Sequence, residues 1–511
     1  MFVAGDPRRA ALPPGFRIAL DPEVRFFAGG KAAVGGSPWR VVRFGEAALR
    51  FLANLRSAGS AGAVPVDPAA RALARSLLDR GLAHPLFGDV PSACHDVEIV
   101  VPIFGPAKVL EGCLSALAGL RVIVIDDGSL DPEAVRAVAA LHGARLVRHG
   151  ENRGPAAARN TGATIASSDL VAFVDADCRP CPGWLDRLIV HFEDPRVVAV
   201  APRIVSSPEG TSALARYEAS RSSLDMGSRS EVVRAGGRLG FVPTAAVVVR
   251  REVVLGHRFD ELLRFGEDVD LVWRLADRGW LVRYEPRATV LHEPRLALGA
   301  WLGRRCAYGT SAGTLARRHP GRLAPARLSF LNLASIALVA AGHPFPAAAS
   351  IASAARLLHL RLAPFGIGPS ASAAIVARGL LSDCSALGSV FRREWWPIGA
   401  AALAASALRM RRRQGCLVSR RGAPVVSVLM LAPLVLEMAR ARPRLDPFRY
   451  VGLRLLEDAA YGVGVIAGAA REQTIAPLVP EVRLPKGPPA VGVAFIAGAL
   501  LGAVLGARCP A

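Results

Sequence analysis

A short apolar segment followed by two carboxylates, at residues 170–178, constrains the fold of this chain more than any other feature. Leu170–Val174 contains only apolar residues, and Asp175 and Asp177 follow it directly. Such a run is typical of a parallel strand covered on both faces, and ligands of such sheets bind at the carboxyl ends of strands. Residues two apart lie on the same side of an extended chain. We therefore expect a carboxylate pair that holds Mg²⁺ or Mn²⁺ carrying phosphate oxygens. The alternative is a solvated acidic turn.

Strand-like and helix-like segments alternate around this feature. The strand candidates are 97–102, 122–125, 144–148 and 197–202, and the helix candidates between them include 107–117 and Pro132–Leu141. This alternation is typical of a mostly parallel, doubly wound α/β sheet. We place this domain at residues 96–300.

The charge and cysteine content narrow the class of protein. The chain has 511 residues, a net charge of +21 and 52% hydrophobic residues, with the apolar excess concentrated after about residue 327. A basic surface suits nucleic acid, anionic lipid or a phosphate-rich substrate. No helix-turn-helix, zinc-finger or RNA-binding aromatic motif is evident, so we expect no nucleic-acid partner. The eight cysteines have no regular spacing, which predicts reduced thiols in the cytoplasm.

The first part of the chain, residues 12–88, has a different pattern. A turn and strand-like run at 35–44 precede two helical segments, 47–55 and 68–80, and a closing strand at 82–85. This order predicts a small winged-helix unit that resembles the PqqD-like, peptide-recognising domains. The alternative is a structural cap, in which Trp39 and Phe44 pack against the next domain.

Four motifs occur in order within the α/β domain. They are Val-Pro-Ile-Phe at 101–104, Asp-Asp-Gly-Ser at 126–129, Asp-Ala-Asp at 175–177 and Gly-Glu-Asp-Val-Asp at 266–270. Together with Asn-Arg-Gly and Ala-Arg-Asn within 152–160, the ordered set resembles the family-2 glycosyltransferases of the GT-A fold.

The resemblance implies roles for the acidic residues. A nucleotide-sugar donor leaves as a diphosphate, so a divalent cation held by Asp175 and Asp177 would neutralise the developing charge. Asp268 matches the base that accepts the acceptor proton, and Glu267 would orient it or touch the acceptor. A single base without an enzyme nucleophile implies inversion at the sugar. His292 matches a further metal ligand, and its alternative is a structural histidine.

Other residues are assigned to the substrates on the same resemblance. Asp126 matches the position that recognises the uracil or ribose, although Asp127 could take that role or serve only the turn. Phe104 would pack on the base, or alternatively in the core, and Arg159 would face the nucleotide or phosphates, with helix capping by Asn160 as the alternative. The expected donor-binding set is Pro102, Phe104, Asp126, Asp127, Arg159 and Asp175, and Thr244 is expected to line the acceptor pocket.

A narrower resemblance covers nearly the whole chain. It rests on Gly35-Gly-Ser-Pro-Trp-Arg, Phe241-Val-Pro-Thr-Ala-Ala-Val, Tyr308-Gly-Thr-Ser-Ala-Gly, Leu315-Ala-Arg-Arg-His-Pro and Asp446-Pro-Phe-Arg-Tyr. These segments resemble the glycosyltransferases of the mycofactocin system. The resemblance implies transfer of glucose from a UDP-sugar onto a redox cofactor made from a ribosomal peptide (premycofactocin), in a β-1,4-linked chain.

The remainder, 301–511, is predicted to be helical. Apolar runs occur at 328–342, 397–408, 424–438 and 489–507, and arginine clusters at 409–413 and 440–444 flank the middle runs. This pattern favours association with the cytoplasmic face of the inner membrane over a soluble helical bundle.

Two other functions are alternatives to this one. A processive polysaccharide synthase or lipid-linked sugar transferase usually carries Gln-x-x-Arg-Trp after the base, whereas the corresponding segment here reads Arg304-Arg-Cys-Ala-Tyr. A non-catalytic peptide-binding scaffold would need no acidic set. Donor turnover by the purified protein separates a scaffold from an enzyme.

Overall fold

A computed structural model describes residues 7–88, 96–207, 210–411 and 422–484. The chain divides into two compact units, Met1–Arg295 and Leu296–Ala511. The predicted apolar run at 489–507 lies outside the described residues.

The beginning of the first unit contains short strands and two helices. They are β1 (Ile18–Leu20), β2 (Arg25–Phe27), β3 (Ala32–Gly35), β4 (Arg40–Arg43), α1 (Glu46–Ala58), α2 (Pro68–Asp79) and β5 (Ala83–Pro85). β1 pairs with β5, and β2, β3 and β4 form an antiparallel sheet. α2 begins where its sequence predicts, because Pro68 occupies the first turn and Asp67 accepts a hydrogen bond of 2.7 Å from the Ala70 N–H. We refer to residues 7–88 as the N-terminal module.

The two aromatic residues of the module behave differently from the expectation that both pack against the next domain. Phe44 is buried in the module's own core, together with Phe16, Leu52 and Leu77. Trp39 keeps 52% of its surface exposed.

Ion pairs join the module to the α/β part of the same unit instead. Arg75 donates two hydrogen bonds to Asp194, at 2.6 and 2.8 Å, and Arg196 lies 2.8 Å from Asp79. The Arg75, Asp194 and Arg196 side chains are largely buried, so each charge depends on its partner.

The rest of the first unit is a mixed sheet with helices around it. Its elements are β6 (Val97–Ile103), α3 (Ala107–Ala116), β7 (Arg121–Asp126), α4 (Pro132–Leu141), β8 (Arg145–Arg148), α5 (Pro155–Ile165), β9 (Leu170–Val174), β10 (Cys178–Pro180), α6 (Trp184–Ile189), β11 (Val197–Ser206), α7 (Ala213–Ser220), β12 (Glu231–Val233), β13 (Ala246–Arg250), α8 (Arg251–His257), α9 (Glu267–Asp277) and β14 (Leu281–His292).

The sheet order is β10-β14-β11-β13-β9-β6-β7-β8, with β12 on β14. The predicted parallel arrangement holds for β8, β7, β6 and β9. β6, β7 and β9 are nearly continuous runs of buried apolar residues, whereas the edge strand β8 has exposed arginines at both ends. The parallel prediction is wrong for β13, which runs antiparallel to both β9 and β11, and for β10 and β12, which run antiparallel to β14. β13 runs antiparallel to β9, and β11 runs antiparallel to β13, so β11 has the same direction as β9. β14 is parallel to β11, and therefore both strands end at the same edge of the sheet as β9.

The second unit is mainly helical. Its elements are α10 (Leu298–Arg318), β15 (Arg327–Ser329), α11 (Phe330–Ala341), α12 (Pro344–Leu362), α13 (Pro369–Arg392), α14 (Trp396–Arg411), α15 (Gly422–Ala441), α16 (Pro447–Arg471) and β16 (Glu481–Arg483). α10 and α16 approach closely because glycines line their contact. A Cβ atom at Gly309 or Gly313 would overlap the backbone of α16.

Candidate active site

The chain topology brings the predicted site residues to one edge of the sheet. Phe104 and Asp126 lie at the ends of the neighbouring strands β6 and β7, where Ile103 is opposite Asp126. Asp175 follows β9, and its N–H donates to the Ala245 carbonyl at 2.8 Å, which places Thr244 beside this loop. His292 ends β14 at the same edge.

Arg159 connects two of the acidic motifs. Its Nη2 donates to Asp175 Oδ1 at 2.7 Å, and its Nη1 donates to Glu267 Oε1 at 2.9 Å. The arginine lies on α5 and is buried. Burial acts to lower the pKa of Arg159, but the carboxylates of Asp175 and Glu267 outweigh it and raise that pKa. This guanidinium therefore stays charged and holds the loop after β9 against the start of α9.

Asp268 lies in the first turn of α9, which begins after Gly266 in a left-handed conformation with φ of 82°. Its Oδ1 accepts a hydrogen bond of 2.8 Å from the Val269 N–H. Burial raises the pKa of Asp268 to about 7, and repulsion from Glu267 adds to this effect. A carboxylate with a pKa near neutrality is suited to accept a proton during catalysis.

Asp177 and His292 form the part of the site suited to a cation. Asp177 Oδ2 lies 3.5 Å from His292 Nε2, and both side chains are partly exposed. β10 brings them together, because Cys178 pairs with His292 in the β10–β14 ladder. A carboxylate oxygen and an imidazole nitrogen are both ligands of divalent ions such as Mn²⁺. His292 Nδ1 is buried without a hydrogen-bond partner.

Asp175 is oriented differently from the other two predicted metal ligands, since Arg159 binds one of its oxygens. Burial raises the pKa of Asp175, and Asp177 raises it further, while Arg159 opposes both. Across the described ranges, no group of three or more His, Cys, Asp or Glu side chains is arranged to hold a metal ion. A divalent cation at this position would take Asp177 and His292 from the chain, and substrate phosphates commonly complete such a coordination shell.

Asp126 is fully buried and bound within its own turn. Its carboxylate accepts a hydrogen bond of 2.9 Å from the Ser129 N–H and is paired with the Arg148 guanidinium. Arg148 also donates to the Ser129 carbonyl at 3.0 Å. This geometry favours a role in shaping the loop after β7 over the predicted direct contact with uracil or ribose.

Asp127 is also bound by groups of the protein itself. Its carboxylate accepts hydrogen bonds from the N–H groups of Arg153 and Gly154, at 3.0 and 2.7 Å, and lies 2.7 Å from His149 Nδ1. Asp127 therefore positions the segment that leads into α5 and Arg159. Sequence reasoning did not single out His149, and its only signal was a histidine directly after a strand.

The remaining predicted residues differ in accessibility. Phe104 is 62% exposed, which excludes the core alternative, and Pro102 on β6 is half-buried. Thr244 is buried. Asn160 does not cap a helix, because its side chain exchanges hydrogen bonds of 2.9 and 3.0 Å with the backbone of Phe259.

Comparison with known proteins identifies the family. The model of glycosyl transferase family 2 matches residues 98–255. Over 486 residues the chain is 39% identical to the pre-mycofactocin glycosyltransferase of Mycobacterium tuberculosis, which covers 92% of this chain and 99% of that protein. The chain belongs to the pre-mycofactocin glycosyltransferase family. The expected family and the GT-A-like α/β fold are thereby confirmed.

More distant similarities concern parts of the chain. Succinoglycan biosynthesis protein ExoU from Rhizobium meliloti is 33% identical over 184 residues, which is 34% of this chain and 53% of that protein. The solved mannosyltransferase PcManGT from Pyrobaculum calidifontis, in complex with GDP-Man and Mn²⁺, has a TM-score of 0.39 and 20% identity, and covers 75% of this chain and 90% of its own. The PqqD-like nature of the N-terminal module stays a prediction.

Proposed function

We propose that this enzyme transfers glucose from UDP-glucose, with inversion, onto the peptide-derived redox cofactor precursor premycofactocin, and that repeated transfer builds a β-1,4-linked oligoglucose chain. One observation supports this most: the similarity to the pre-mycofactocin glycosyltransferase extends over 92% of the chain. A match of this length must extend into the N-terminal module and into the helices of the second unit, beyond the family-2 region at 98–255.

Different residues of the site act on the donor and on the acceptor. Phe104 offers its exposed ring to the nucleobase. Asp268 accepts the proton of the acceptor hydroxyl as that oxygen attacks the anomeric carbon, and Glu267, held by Arg159, keeps the first turn of α9 in place. Asp177 and His292 would hold Mg²⁺ or Mn²⁺, which neutralises charge on the departing diphosphate.

The N-terminal module is proposed to recognise the peptide-derived acceptor. Its sheet has β2 and β4 at its edges, and Trp39, next to β4, offers exposed aromatic surface. Peptides are commonly recognised by strand addition to such an edge, and exposed tryptophans often dominate binding.

The reaction is tested with purified protein, the peptide-derived acceptor and a panel of UDP-glucose, UDP-galactose and GDP-mannose. Mass spectrometry should detect a series of hexose additions with UDP-glucose, and linkage analysis should give β-1,4 bonds. Transfer from GDP-mannose but not from UDP-glucose would overturn the donor assignment. A product that retains the donor configuration would overturn inversion.

The module's role is tested by Trp39→Ala, with Leu130→Ala as a control at a fully exposed apolar residue. We expect the KM for the acceptor to rise about tenfold in Trp39→Ala, with slow donor hydrolysis unchanged. An unchanged acceptor KM removes this surface from acceptor recognition.

A further inference from the structure

The exposed face of α15 is apolar from Pro424 to Ala439. Its most exposed positions recur every three or four residues, which places them on one side of the helix. They are Pro424, Val428, Ala432, Val435, Leu436 and Ala439. Val428, for example, keeps 62% of its surface exposed. The helix of a soluble protein turns polar residues to solvent, so this stripe has the opposite polarity.

A serine of α14 lies next to a serine of α15. The Ser406 and Ser427 hydroxyl oxygens are 3.0 Å apart, and Ser427 is buried. Ile398 and Leu408 of α14 are exposed, and residues 397–408 include no charged residue. Apolar side chains outside and hydrogen-bonded hydroxyls inside are typical of helices surrounded by lipid.

Length and burial agree with this interpretation. α15 has 20 residues, which corresponds to about 30 Å of helix, and only 17% of its most apolar window is buried. A core helix of a soluble protein would be mostly buried. Within the described residues α13 is the other helix of sufficient length and hydropathy, but it has Arg378 exposed near its middle.

Basic residues follow the apolar stripe directly. Arg440, Arg442 and Arg444 are exposed at the end of α15, and Phe448 is exposed just beyond them. Most of the net charge of +21 lies in 301–511, where arginines far outnumber acidic residues. Arginines next to an apolar surface are attracted to anionic lipid headgroups.

We propose that α14 and α15 form the membrane-inserting element of the second unit. The stripe from Pro424 to Ala439 contacts lipid acyl chains, and Arg440, Arg442 and Arg444 contact anionic phospholipid headgroups. Insertion through these two helices would account for the expected location at a membrane. It is independent of the transfer reaction, because it concerns residues outside the acidic site.

The test is flotation of the full-length protein with vesicles of phosphatidylcholine alone or mixed with phosphatidylglycerol. The wild type should float with both vesicles, and more strongly with the anionic ones. The double variant Val428→Glu/Val435→Glu should lose flotation with both. Arg440→Gln/Arg442→Gln/Arg444→Gln should weaken binding to anionic vesicles about 10²-fold and leave the weaker neutral binding unchanged.

Leu130→Glu and Leu262→Glu are matched controls, because they place the same charge at exposed leucines of the first unit, and they should float like the wild type. Donor hydrolysis by each variant reports that the protein is folded, and the arginine variant tests the proposal even if the glutamate variant fails to fold. The proposal is wrong if the protein is a monomer in the absence of detergent and floats with neither kind of vesicle. The proposal is also wrong if the protein is a dimer without detergent and Val428→Glu/Val435→Glu converts it to a monomer, because a second copy of the chain then covers the stripe.

Discussion

Two sets of carboxylates at the same edge of the sheet differ in how well the protein stabilises their negative charge. Asp126 and Asp127 are satisfied by backbone N–H groups, an arginine and a histidine, and are almost fully buried. Asp175 and Asp268 have raised pKa values, because burial and a neighbouring carboxylate disfavour their charged forms. The first pair stabilises loops, whereas the second set retains unfavourable negative charge that a cation or a proton can relieve.

The largest expected effect is that of Asp177→Ala. The substitution removes a carboxylate oxygen from the proposed cation site, so transfer should fall by about 10³-fold or more while the fold persists. Asp169→Ala is a matched control, because this exposed aspartate lies at the opposite end of β9. Initial rates with added Mn²⁺ and after chelation give the comparison. Full activity of Asp177→Ala in chelator would contradict the metal assignment.

Asp268→Asn should lower kcat by about 10²- to 10⁴-fold. The amide has the same shape but cannot accept the acceptor proton, so the affinity for the proposed donor UDP-glucose should be unchanged. Stability should not fall, since the amide removes a charge that burial disfavours. If calorimetry shows that donor affinity collapses together with kcat, Asp268 is a binding residue and the base lies elsewhere.

The pH dependence should identify the group that titrates. A base with a pKa of about 7 is active only when ionised, so kcat/KM should rise about tenfold per pH unit below 7 and level off above it. Asp268→Asn should lose this rise, and Asp126→Asn should keep it. A rise that survives in Asp268→Asn would assign the titration to another group.

The smallest effect on the rate is expected for Asp126→Asn and Asp127→Asn. Each weakens charge-assisted hydrogen bonds to buried partners, so the free energy of unfolding should fall by roughly 1–3 kcal/mol. The rate per folded molecule should change little. If Asp126→Asn instead weakens UDP binding without loss of stability, Asp126 contacts the donor as the family resemblance implies.

The sequence predicts local elements of this fold well and long-range pairing poorly. The bounds of Leu170–Val174 and Pro132–Leu141 are confirmed, because apolar runs and capping residues are local signals. The directions of β10, β12 and β13 were not predictable, since a short strand takes its direction from a partner far along the chain.

The same limit applies to the site. The motifs identify the acidic residues but not their hydrogen-bond partners, so Asp126 and Asp175 have similar contexts in sequence and different ones in space. The link from Arg159 to both Asp175 and Glu267 joins residues up to 108 positions apart. No local pattern reveals such a link, because it depends on how α5 and α9 pack.

The ion pairs between the N-terminal module and the sheet limit which chimeras between homologous chains can fold. A chimera that takes residues 7–88 from a homologue must also provide complements to Asp194 and Arg196. A mismatch at either position buries a charge without its partner, which typically costs several kcal/mol. The module and the strand that follows Asp194 are therefore expected to be inherited together, and only grafts that carry both sides of these pairs should fold.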